Sequence, residues 1–103
     1  MNLNKLDLNL LVVFDTVYRT RNITRAGSEL HLTQSAVSNA LNRLREILGD
    51  RLFTRSPQGM IPTQVAQRLA QPVREILTRV QLALDRARPF DPSTARHHFR
   101  VYL

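Results

Sequence analysis

Cysteine is absent from the 103 residues, so neither a disulfide framework nor a thiolate metal site can form, which suits a reducing compartment. Glycine occurs only three times, at Gly27, Gly49 and Gly59, too far apart to build a phosphate-cradling loop. Histidine is limited to His31, His97 and His98, none with carboxylates at catalytic or ligand spacing, and adjacent residues on a strand point to opposite faces. The apolar stretch Leu8 to Phe14 is interrupted by Asn9 and followed by Asp15, which makes a poor signal or spanning segment, and Lys5 and Asp7 precede it. These absences argue against an enzyme, a secreted scaffold and a membrane protein. They predict a soluble cytoplasmic chain with no cofactor or metal of its own.

Acidic residues are also scarce: eight stand against fifteen basic ones, a net charge of +7. Fourteen of the fifteen are arginine, whose planar fork matches phosphates and guanine edges, so a nucleic acid is the expected partner. Aromatics make up only 6%, and Phe14, Tyr18 and Phe53 fall on apolar faces. Readers of single-stranded RNA stack bases on exposed rings, so this pattern favours double-stranded DNA.

Leu6, Leu10, Leu11, Phe14, Val17 and Tyr18 recur at helical spacing and predict a scaffold helix over about 7–20. Thr24 reads as the N-cap of a short second helix to about His31, and Thr33 as the cap of a third that runs to Leu48 and stops at Gly49. Arg51 to Arg55 and Met60 to Pro62 flank Ser56-Pro57-Gln58-Gly59, a turn composition that predicts a two-stranded wing. Thr63 can cap a last helix in which Val65, Leu69, Val73, Ile76, Val80, Ala83 and Ala87 step by three or four, close to a heptad seam. Pro72 lies within it and predicts a kink or an early break. Pro89 to Ser93 reads as a linker, and Phe99, Val101 and Leu103 alternate with polar residues as the start of a strand belonging to something larger. The expected architecture is therefore mainly α: three helices and a two-stranded wing over 1–62, a long linker helix over 63–88, and a hinge with the start of a further domain over 89–103.

The third helix carries the most information. On a wheel of about 100° per residue, Ala36, Val37, Ala40, Leu41, Leu44, Ile47 and Leu48 occupy one arc, and Gln34, Ser35, Ser38, Asn39, Asn42, Arg43, Arg45 and Glu46 fill the rest. A merely solvated face favours Glu, Lys, Gln and Arg, whereas Ser and Asn are poor helix formers. Here Gln34, Ser35, Ser38, Asn39 and Asn42 form an uncharged cluster before Arg43. Such short donors and acceptors can pair with base edges, Asn and Gln with adenine and Arg with guanine. A helix-turn-helix reads bases from this end of its second helix, next to Thr33 and its free amides. Arg55 beside the wing turn is a further candidate contact, with Thr24, Arg25, Arg43 and Arg51 as phosphate contacts on a basic rim.

Thr24 through Ser38, with Thr33-Gln34-Ser35-Ala36-Val37-Ser38 at its end, resembles the helix-turn-helix signature of LysR-type transcriptional regulators. The likeness continues through Leu41 to Gly49, Leu52 to Arg55, and Pro62-Thr63, nearly the whole chain. Asp7 to Phe14, Ala36 to Leu41 and Gly59 to Thr63 are similar to the branch of nodulation and salicylate-responsive naphthalene-degradation regulators. The resemblance implies a winged helix-turn-helix and DNA contacts by Gln34, Ser35, Ser38, Asn39 and Arg55. It also implies that the linker helix makes a homodimer, with Leu69, Val73, Ile76 and Val80 as seam, and that the whole regulator forms a tetramer. A C-terminal effector domain beyond this chain would bind a small aromatic inducer, and RNA polymerase would be a further partner. Two departures matter: Ser35 stands where the family usually has proline, and Asn39 where many members have arginine, which shifts the expected preference toward adenine. A stand-alone winged-helix repressor is the nearest alternative.

Overall fold

The computed structural model describes residues 3–89, and each of its four α-helices opens on a side chain that accepts from a free backbone amide. Asp7 accepts from the amide of Asn9 at 2.9 Å and starts α1 (Leu8–Thr20). Thr33 accepts from Ala36 at 3.0 Å ahead of α3 (Gln34–Leu48), and Thr63 accepts from Ala66 at 3.2 Å ahead of α4 (Gln64–Ala87). The second helix, α2 (Ile23–Leu30), departs from expectation. Its cap is Asn22, whose Oδ1 accepts from Arg25 at 3.0 Å, and Thr24 lies inside the first turn. The cause is the tight exit from α1: Arg21 adopts φ 58°, so the chain turns one residue later into extended Asn22 and the helix begins at once.

Leu10, Val13, Phe14 and Val17 form the buried stripe of α1, and Ile23, Ala26, Val37, Ala40, Leu41 and Leu44 close on it from α2 and α3. Between α3 and α4 lies an antiparallel hairpin of β1 (Phe53–Ser56) and β2 (Gly59–Pro62), with Arg55 opposite Met60 and Ser56 opposite Gly59 across a Pro57-Gln58 turn. Phe53 enters the core with its ring 5.6 Å from that of Phe14, and Met60 is buried beside it. The first strand is shorter than expected because Leu52 takes φ 63° and Phe53 donates to the carbonyl of Arg51 at 2.7 Å, a local turn that keeps Arg51 out of the ladder. Asp50 fastens the wing's base, accepting from the Leu52 amide and the Thr63 hydroxyl, each at 2.7 Å.

α4 runs unbroken through Pro72, contrary to the early break expected there. Pro72 lies on the exposed side of α4 and has no N–H for the Arg68 carbonyl, so it costs one bond of a 24-residue ladder and does not end the helix. The helix is about 36 Å long. The seam also divides. Val73 is 3% exposed and Leu69 packs on the core with Leu77, so these two expected dimer contacts serve the chain's own core. Past Leu77 no residue of α4 joins that core, whereas Ile76, 46% exposed, and half-buried Val80 lie toward the free end. The hinge and strand expected over 90–103 lie outside the described residues.

Candidate nucleic-acid interface

Because Val37, Ala40, Leu41 and Leu44 hold α3 against α1 and α2, its opposite face is presented outward. Gln34, Ser35, Asn39 and Asn42 are exposed there and Ser38 half-buried. The expected base-reading cluster is thus brought together on one side, with Arg43 on the far edge, about 180° round the helix from Gln34. Thr33 is exposed too, and its hydroxyl oxygen accepts from the Ala36 amide as the helix cap.

The wing stands beside the Gln34 edge. Arg55, cross-strand from buried Met60, lines a shallow cleft of about 240 Å³ with Gln34, Thr24, Arg21, Asn22 and Ser56. This cleft joins the openings of α2 and α3 to the wing, so Thr24, Gln34 and Arg55 form one continuous surface. Its geometry depends on the bond from the Met60 amide to the Arg21 carbonyl at 2.9 Å and on Gly59, where a Cβ would come within 2.6 Å of that same oxygen. Asn22 and Ser56 were not singled out from the sequence; an asparagine immediately before Ile23-Thr24-Arg25 was the available signal for the first.

The seven arginines from Arg19 to Arg55 are not equivalent. Arg19 pairs with Glu29 across α1 and α2, and this bond raises its pKa and lowers that of Glu29. Arg21 stacks 4.6 Å over the Tyr18 ring and donates to the Tyr18 carbonyl at 2.5 Å. Arg45, half-buried, donates to Asn42 and to two backbone carbonyls; burial, then the charges of Arg51 and Arg55, lower its pKa. Arg25, Arg43, Arg51 and Arg55 are exposed and have no ion pair among the described residues. They are the arginines left to meet an anionic partner.

Residues 8–67 match the family model described as bacterial regulatory helix-turn-helix protein, lysR family. The chain belongs to the LysR family. It carries that family's DNA-binding helix-turn-helix, in a family of transcription regulators rather than enzymes. Among relatives of this LysR-family chain, the HTH-type transcriptional activator NahR of Pseudomonas putida is 48% identical over all 103 residues, which cover 34% of NahR. Nodulation protein D 1 of Bradyrhizobium sp. strain NC92 is 43% identical over the same span, 33% of its length. The chain therefore spans about a third of the length of the curated relatives it matches.

Among solved structures, the probable transcriptional regulator PA0477 from Pseudomonas aeruginosa superposes with a TM-score of 0.80 at 50% identity, over 87% of this chain and 30% of that one. A CbnR DBD–DNA complex superposes at 0.73 with 26% identity, over 80% of this chain and 94% of that one. The fold is that of LysR DNA-binding domains: three helices, a two-stranded hairpin and a long last helix. Among the described residues no helix is long and apolar enough to cross a membrane.

Proposed function

We propose that this LysR-family chain reads double-stranded DNA by sequence, with the N-terminal half of α3 in the major groove and Arg55 of the wing at the flanking minor groove or phosphates. The observation that carries this reading is the N-terminal half of the outward face of α3, where Gln34, Ser35, Ser38, Asn39 and Asn42 gather with no charge before Arg43. An α-helix about 10–12 Å across fits the roughly 12 Å major groove, and amides and hydroxyls match its donors and acceptors. Thr33 lies at the entrance of that helix, while Thr24, Arg25, Arg43 and Arg51 flank it as phosphate contacts that set position without reading sequence. The CbnR DBD, of the same fold, is solved in complex with DNA.

In this reading residues 1–62 form the reading head and 63–88 the linker helix that joins two copies. The apolar stripe of α4 continues past the core through Ile76, Val80, Ala83 and Leu84, the last 59% exposed, and a second copy would cover it. A two-fold pair of reading heads then meets paired half-sites. For the whole regulator we propose a cytoplasmic tetramer that contacts RNA polymerase and answers to a small aromatic inducer bound outside this chain.

Selection from a randomised duplex pool tests the reading, using the chain and its Asn39→Arg variant. The expected result is one enriched sequence for the chain and a change from adenine to guanine at one base pair for the variant. The same enriched sequence for both proteins would remove Asn39 from the reading surface.

A further inference from the structure

Both ends of the wing meet at one acidic side chain. Asp50, the second residue after α3, accepts through a single oxygen, Oδ2, from the Leu52 amide at the wing's entry and from the Thr63 hydroxyl at its exit, each at 2.7 Å. Thr63 also donates its amide to the Leu52 carbonyl at 2.8 Å, and its hydroxyl oxygen caps α4. Inside this neck Leu52 is fully buried at φ 63°, a left-handed conformation that a leucine adopts only at a cost. From the α3 side Arg45 donates to the carbonyls of Arg51 at 2.6 Å and Phe53 at 3.4 Å. Residues 51, 52 and 53 are thus each gripped by a charged side chain.

We infer that Asp50 is a positioning residue for DNA binding, which closes the neck of the wing and thereby sets where Arg55 stands relative to α3. Arg55 lies three residues beyond Leu52 along β1, about 10 Å at the rise of a strand, so a swing of about 20° at the neck displaces it by roughly 3–4 Å. That is a hydrogen bond's length, enough to lose a contact. The bond from the Met60 amide to the Arg21 carbonyl holds the hairpin farther out, and Asp50 is the corresponding hold at its base.

Charge alone points the other way. Asp50 stands beside Arg51 on the basic side and can only repel phosphate, so by charge its removal would strengthen DNA binding. Geometry accounts for it instead: aspartate and asparagine have the length that accepts from the amide two residues on. The carboxylate therefore serves the interface through the backbone it holds, without touching DNA.

This inference rests on the proposed DNA reading, and the test tells their failures apart. Anisotropy compares the parent, Asp50→Ala, Asp50→Glu and Asp50→Asn, each with and without Arg55→Ala, on the duplex enriched by selection and on a scrambled one. Urea unfolding first establishes that each variant folds. Asp50→Asn keeps the acceptor and drops the charge, whereas Asp50→Glu keeps the charge and moves the acceptor by one methylene. Asp50→Ala and Asp50→Glu are each expected to weaken binding to the enriched duplex about fivefold or more, but less than about twofold once Arg55 is alanine. Asp50→Asn is expected to bind as tightly as the parent or tighter. Binding by Asp50→Ala that equals the parent's would overturn the inference. So would a loss unaffected by Arg55→Ala, or a loss in Asp50→Asn as large as in Asp50→Ala. Should Asp50→Ala fail to unfold cooperatively, Asp50→Glu and Asp50→Asn decide. The neck is also read without DNA: hydrogen exchange at the Thr63 amide should speed up in Asp50→Ala and Asp50→Glu and not in Asp50→Asn, and equal exchange in all of them would overturn the inference. A parent that binds both duplexes alike overturns the DNA reading, and this inference with it.

Discussion

A Cβ added at residue 27 would come within 2.7 Å of the carbonyl oxygen of Leu32, whose own amide donates to the carbonyl of Gly27 at 2.9 Å. The backbones of α2 and the following turn therefore touch directly. This contact sets how closely α2 approaches the start of α3 and hence how far Gln34 and Ser35 project. Gly27→Ala is expected to lower stability by about 1–3 kcal/mol, because the atom in the way is backbone and cannot swing aside. Urea unfolding measures it, and an unchanged midpoint would show that the turn can widen freely.

Gly59 has the same relation to the Arg21 carbonyl, with φ 117° in addition. Gly59→Ala should cost about 1–3 kcal/mol and loosen the wing from the corner between α1 and α2. Hydrogen exchange at the Met60 amide, which donates to Arg21, should speed up more than exchange at the Val37 amide of α3.

The caps make a sharper comparison. Asn22→Ala is expected to cost about 1 kcal/mol, since Oδ1 satisfies the Arg25 amide, whereas Thr24→Ala, inside the helix, should cost a few tenths at most. Equal losses would restore Thr24 as the cap.

Along α4 two variants should separate packing from association. Val73→Ala removes a buried side chain and should cost about 1–3 kcal/mol in urea. Leu84→Glu, on the exposed end, should leave the unfolding midpoint of dilute protein unchanged and lower the mass seen by sedimentation at high concentration. A monomer at every concentration for the parent chain would contradict dimerisation through this helix.

The Arg19–Glu29 pair gives the pH dependence its sign. The hydrogen bond from Arg19 holds the Glu29 carboxyl below its ordinary value, so its contribution is present above about pH 4.3 and is lost as pH falls through the lowered folded value. Glu29→Gln should flatten the stability profile in that acid window and leave neutral pH little changed, because the pair is largely solvent-exposed.

Much of this fold could be read in the sequence because its signals are local. Spacing on α1 and α3 marks one buried face each, Thr33 and Thr63 stand where caps are needed, and Pro57 with Gly59 fits a turn. The features that escaped depend on contacts between elements. Whether Val73 faces its own chain or a partner is decided by how α4 lies on α1, which heptad spacing does not encode. Arg21 and Arg45 look like neighbours of Arg25 and Arg43 in a charge count, but Tyr18 and the carbonyls of Arg51 and Phe53 engage them. Asn22 and Thr24 are both residues that cap helices, two positions apart, and the φ of Arg21 decides between them.

The central claim is that the uncharged N-terminal half of the outward face of α3 reads bases. The most direct measurement is fluorescence anisotropy of the chain and Asn39→Ala on the duplex enriched by selection and on a scrambled duplex, at two salt concentrations. The expected result is binding at least about tenfold tighter to the enriched duplex, a margin that persists as salt rises and shrinks with Asn39→Ala. Equal affinity for both duplexes, falling steeply with salt and indifferent to Asn39, would contradict the account and leave only the attraction of arginines for phosphate.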